Sequence, residues 1–124
     1  MLKRFLVPEE DRVFVREELV RNATQTIFLE MGQSERDAEQ STDVLIESDL
    51  RGCESHGVSN MLRLYIDQYR RGELNPTPNV TTLRESAVSA TWNADQALGI
   101  QVGPRAMELA IEKASETGIG AVAI

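Results

Sequence analysis

Two prolines close together, in the run Glu73-Leu74-Asn75-Pro76-Thr77-Pro78, divide this 124-residue sequence into halves that have to fold differently. Proline lacks the backbone donor and restricts the residue before it, so neither a helix nor a central strand runs through the segment. Before it, apolar residues recur at helical spacing; after it, short strand-like runs precede one more helix and a last apolar run. The expected fold is therefore α/β (mixed). An N-terminal three-helix section over 1–75 is followed by the start of a mixed sheet domain over 76–124.

In the first section, residues 3–7 read as a short strand or an extended lead-in. Pro8 with Glu9, Glu10 and Asp11 makes a helix start, with carboxylates at the positive end of the dipole. Val13, Val20, Ala23, Ile27 and Met31 then predict a first helix from about Glu9 to Met31, with a weak point near Asn22-Ala23-Thr24 and a stop at Gly32. Ser34 and Asp37 form a short capping box for a second helix that carries Ala38, Leu45 and Ile46 and ends at Arg51-Gly52. Val58, Met61, Leu62, Tyr65, Ile66 and Tyr69 repeat at i, i+3, i+4 spacing and predict a third helix up to Gly72, capped by Ser55 or Ser59.

In the second section, Val80–Leu83 and Ala87–Trp92 read as strands, the latter with Val88, Ala90 and Trp92 on one face. Gly103-Pro104 opens a fourth helix whose stripe is Met107, Ala110, Ile111 and Ala114, small enough in part to lie close to a sheet. The run Gly120–Ile124 reads as a buried strand, apolar without alternation. A core strand ending the sequence implies a piece of a longer protein; an intact mass of 13.8 kDa for the natural product would refute that.

The chemistry available is restricted. A net charge of −7 argues against a nucleic-acid groove, because the Arg70-Arg71 pair is too small a basic patch. One cysteine, Cys53, forms no internal disulfide and fits a reducing compartment; with no signal-like or membrane-spanning run the expectation is a cytoplasmic protein. One histidine and one cysteine do not make a metal site, so no metal is expected. Gly99-Ile-Gln-Val-Gly103 is a weak hint of an anion-binding helix start, but it lacks the G-x-G-x-x-G pattern and reads better as glycines used for turning and close packing.

The chemistry-bearing stretch is Arg51-Gly52-Cys53-Glu54-Ser55-His56-Gly57-Val58-Ser59-Asn60, between the second and third helices. His56 is a candidate general acid/base, since imidazole exchanges protons near neutral pH; a structural or surface role is the competing reading. With Ser55 as the cap, His56 falls in the first turn of the third helix. Adjacent Ser55 and His56 side chains are expected to point apart, and no G-x-S-x-G elbow is present, so a serine hydrolase is disfavoured. Arg51 and Arg63 could clamp a carboxylate or lie on solvated helix faces.

The run Asp49 to Tyr65, DLRGCESHGVSNMLRLY, resembles the signature of the malate/L-lactate dehydrogenase family, which includes sulfolactate and ureidoglycolate dehydrogenases. Similarity extends over nearly the whole chain, from the expected PEED helix start through RRGELNPTP to DQALGIQVGPRAMELAIEKASETGIGAVAI. The resemblance implies an oxidoreductase that moves hydride between NAD or NADP and a small 2-hydroxy acid, without a classical Rossmann domain, acting as a homodimer whose helix one or three faces the partner. It places the family's active-site histidine and preceding serine on His56 and Ser55. Many members carry arginine four residues after the histidine, where this sequence has Asn60. The substrate-binding set is accordingly Arg51, Arg63 and Asn60, with the carboxylate clamp falling to one of the arginines or to a segment outside the sequence. Most nucleotide contacts, a further histidine and the catalytic aspartate are implied beyond Ile124, and residues 1–124 alone are expected to be inactive. The reading from another class is a non-catalytic helical interaction or dimerisation module.

Overall fold

The computed structural model describes residues 8–124, so the lead-in over 3–7 lies outside the described residues. The chain separates into two compact units, Met1–Gly72 and Glu73–Ile124.

In the first unit the expected helix start at Glu9 is not observed. Glu9–Asp11 makes one 3-10 turn, Arg12 and Arg16 are extended, and helix α1 spans Glu17–Glu30. The intervening Val13-Phe14-Val15 is β-branched and aromatic, poor helix-forming material, whereas Glu17 and Glu18 place carboxylates in the first turn of α1. Val13 and Phe14 are 83% and 93% exposed. There is no break near Asn22–Thr24, and the buried stripe is shifted: Thr24 and Phe28 are buried while Ala23 is exposed.

Gly32, at φ +97°, turns the chain out of α1. Helix α2, Glu35–Leu50, begins as expected: the Ser34 hydroxyl accepts the Asp37 N–H at 3.2 Å and donates to the Asp37 carboxylate at 2.9 Å. Its buried face is Ala38, Ser41, Thr42, Leu45 and Ile46. Small residues on this face let α2 lie close against α1, where Phe28 fills the core. Arg21 of α1 pairs with Glu17 at 2.9 Å and with Asp43 of α2, and the hydrogen bonds it donates to Glu17 and then to Asp43 raise the guanidinium pKa further. Helix α3, Val58–Arg70, buries Leu62 and half-buries Val58, Met61, Tyr65, Ile66 and Tyr69, the face its spacing predicts. The Gln33 amide donates to the Tyr69 hydroxyl at 2.7 Å and ties the α1–α2 turn to the end of α3.

The second unit begins with the proline run, which is neither helix nor strand but is anchored. The Asp95 carboxylate accepts from the Asn75 amide at 2.9 Å and from the Asn79 N–H at 3.0 Å, and the Asn75 N–H donates to the Gln96 carbonyl at 3.0 Å. Strand β1, Thr81–Glu85, pairs antiparallel with β2, Ser89–Asn93, with a bulge between Thr82 and Arg84. Strand β3, Ala121–Ala123, pairs parallel with β2, giving a sheet in the order β1-β2-β3.

Helix α4 spans Gly99–Thr117 and starts four residues before the expected Gly103-Pro104, because buried Leu98 pins the chain ahead of it and leaves Pro104 inside the helix. Its stripe also differs from expectation. Val102, Ala106 and Lys113 are buried, Ala110 and Ala114 half-buried, and Met107 and Ile111 each 61% exposed. The Lys113 ammonium is buried but paired, with Glu85 at 2.8 Å and the Ser86 carbonyl at 2.9 Å. The close approach of helix to strand is real: a Cβ on Gly120 would lie 1.8 Å from the Ala110 carbonyl oxygen. The expectation of a buried β3 fails, since Ala121 and Ala123 are exposed on a strand whose described ladder is to β2 alone. Among the described residues no helix is long and apolar enough to cross a membrane.

Candidate active site

The stretch between α2 and α3 is closed at both ends by backbone geometry. Gly52 adopts φ +72°, and the Gly52 and Cys53 N–H groups donate to the Asp49 and Ser48 carbonyls at 2.9 and 2.8 Å. The chain then forms a 3-10 turn over Glu54–His56, in which the His56 N–H reaches the Cys53 carbonyl at 2.9 Å and the Gly57 N–H the Glu54 carbonyl at 3.3 Å.

Neither Ser55 nor Ser59 caps α3, and His56 lies in the turn before the helix instead of its first turn. The cap comes from α2: the Asp49 carboxylate accepts the Val58 N–H at 2.9 Å. This explains why residue 57 is glycine, since a Cβ there would sit 1.6 Å from Asp49 Oδ1. The need is for space, because φ of −90° is open to any residue. Asp49 and Gly57 shape the turn that carries Ser55 and His56, and the sequence reading assigned them no role. The signal available was the pairing of a carboxylate at the end of α2 with a glycine just before α3.

Ser55 and His56 do meet, contrary to the expectation for neighbours. Ser55 Oγ is 2.8 Å from His56 Nδ1, because the tight turn folds the two side chains onto one another. One ring nitrogen is thereby engaged, and His56 as a whole is exposed. Asn60, half-buried in the first turn of α3, donates from Nδ2 to the Glu54 carbonyl at 2.7 Å. Arg51 pairs with Glu47 one turn back at 2.6 Å and is 73% exposed; Arg63 is exposed on α3. Among the described residues neither arginine is hydrogen-bonded to Ser55, His56 or Asn60.

A groove of about 600 Å³ lies between the Arg12–Val15 segment, α1, the end of α2 and the start of α3, and Glu54, Val58 and Ser59 border it while Ser55 and His56 do not. Its carboxylates, Glu17, Asp49 and Glu54, outnumber Arg12, so it is ill suited to a small anion. Burial pushes the phenols of Tyr65 and Tyr69 on α3 above their ordinary value. Among the described residues no three His, Cys, Asp or Glu side chains gather to hold a metal ion. Gly99 and Gly103 have open space where a Cβ would stand, so neither provides the close packing expected of them.

The chain belongs to the malate/L-lactate dehydrogenase family, whose model matches residues 15–124. It is 44% identical over 98 residues to the malate dehydrogenase of Pyrococcus abyssi, covering 79% of this chain and 27% of that protein. It is 39% identical over 97 residues to the L-sulfolactate dehydrogenase of Methanocaldococcus jannaschii, covering 78% of this chain and 28% of that one. The structure of the malate dehydrogenase from Pyrococcus horikoshii superimposes with a TM-score of 0.86 at 38% identity, over 94% of this chain and 33% of that chain. The chain thus spans about a quarter to a third of the length of these relatives.

Proposed function

We propose that this chain supplies the histidine-bearing part of a dehydrogenase that moves hydride between NAD or NADP and a small 2-hydroxy acid of the malate or lactate kind. The carrying observation is the contact of 2.8 Å between Ser55 Oγ and His56 Nδ1, which fixes the imidazole on its turn and leaves Nε2 for a substrate hydroxyl. His56 takes the hydroxyl proton in oxidation and returns it in reduction, and Ser55 holds the ring in orientation. Arg63 or Arg51 takes the substrate carboxylate, because a planar guanidinium binds it with two parallel bonds and fixes the direction of C2. Nicotinamide, when bound, supplies the hydride chemistry at C2. We place the dinucleotide contacts on the part of such an enzyme that these 124 residues do not span, since the chain covers 27% of its Pyrococcus abyssi relative. A homodimer in the cytoplasm, with no nucleic acid or membrane partner, completes the reading, and the net charge of −7 supports the exclusion of nucleic acid.

The test is His56→Ala in the full-length enzyme. Turnover of 2-hydroxy acids should fall by roughly 10²–10⁴-fold, the usual worth of a general acid/base, with an unchanged Tm. Loss of folding with no separate loss of turnover would favour the non-catalytic module instead. Ser55→Ala should cost less, roughly fivefold, since it removes one hydrogen bond of about 1 kcal/mol.

A further inference from the structure

We propose that Asn60 is a positioning residue for His56 and not a ligand of the substrate carboxylate. Its kinetic consequence rests on the dehydrogenase reading above; its structural consequence does not. Asn60 stands on the first turn of α3, a rigid element, and its amide spans back over the turn that carries Ser55 and His56 to the carbonyl of Glu54, the first residue of that turn, at 2.7 Å. The other end of the turn is held by the bond of 2.9 Å from the Val58 N–H to Asp49. The histidine is thus suspended between two anchors, one to α2 and one to α3.

Without Asn60 the Glu54 carbonyl would keep only the longer bond of 3.3 Å from the Gly57 N–H. The second amide proton has no comparable partner, since Ser59 Oγ stands at 3.5 Å. Asn60 thus keeps one weakly engaged N–H beside its amide oxygen, and that neutral pair holds a carboxylate far less firmly than the two parallel charged bonds of a guanidinium. A neutral amide at this position therefore stiffens the histidine-bearing turn and leaves binding of the acid group to a cation elsewhere.

The test compares Asn60→Ala and Asn60→Asp with the unmutated full-length protein by three measurements: backbone amide hydrogen exchange, Tm, and steady-state kinetics with NAD(P)+ and a panel of 2-hydroxy acids. The expected result is exchange at least about tenfold faster at His56 and Gly57 in both variants, with α1 and the rest of α3 unchanged. The kinetic counterpart is a kcat lower by roughly ten- to a hundredfold at a KM within about twofold, the signature of a displaced group and not of a lost binding contact. Unchanged exchange at His56 and Gly57 would overturn the proposal. So would a raised KM at constant kcat, which makes Asn60 a substrate ligand, or a Tm collapse with exchange accelerated throughout α3, which makes it a general fold residue. If the unmutated enzyme turns over no 2-hydroxy acid while exchange accelerates as expected, the dehydrogenase reading fails and the anchoring of the turn stands.

Discussion

At the scale of single residues, the site depends on a carboxylate and a missing methyl group that share one space. Asp49 caps α3 only because residue 57 has no Cβ. Gly57→Ala should therefore cost about 1 kcal/mol, the worth of a helix cap, and so should Asp49→Ala. In a double-mutant cycle by denaturant unfolding the two should not add, with a coupling of about 1 kcal/mol; simple additivity would show that they act independently. Tyr69 gives a pH prediction. Its phenol is raised first by burial, with Gln33 opposing and Asp37 adding, so the folded state holds its proton more tightly than the unfolded one. That contribution is complete below the ordinary phenol pKa of about 10 and is lost as pH rises through the folded value. Alkaline unfolding should thus be less steep in Tyr69→Phe, as followed by Tm between neutral and strongly alkaline pH. His56 and its serine were legible as candidates from residue type and motif. Their contact was not, because whether adjacent side chains meet depends on backbone angles that residue identity leaves open.

Among the elements, packing decides more than spacing. Phe28, 1% exposed, is the largest side chain of the α1–α2 core, and Phe28→Ala should cost about 3–5 kcal/mol in unfolding free energy. In the second unit Gly120→Ala drives a Cβ against the Ala110 backbone, which has no flexible end to give way. A loss of about 1–3 kcal/mol is expected, and a Tm equal to the unmutated value would show that β3 and α4 separate freely. Helix α2 was legible nearly to the residue and the buried face of α3 was legible too, because strong local signals, the Ser34 cap and the six-residue apolar face of α3, agree with where they bury; the start of α3 was not, since neither Ser55 nor Ser59 caps it. Helices α1 and α4 were misplaced at their starts for the opposite reason. Valine at 13 continues an apolar period in the sequence yet stands exposed in an extended segment, and buried Leu98 starts α4 ahead of the proline that looked like its first residue.

For the molecule as a whole, net charge is the property that composition sets directly. With a charge of −7 and a pI near 4.7, the chain should be least soluble near that pH and should pass unretained through heparin at physiological salt; retention would revive a polyanion partner. The boundary expected at the proline run rests on two backbone donors lost within three residues, a stronger local signal than a single proline such as Pro104, which lies inside α4. Fold class and family were readable, since both rest on covalent features carried in order along the chain. The turn that presents His56 belongs to tertiary structure. Its cap reaches across from α2, its brace back from α3, and the Ser55–His56 contact from the way these two anchors bend the backbone. Such bonds join groups whose separation is set only when helices pack, and no residue's own preferences specify them.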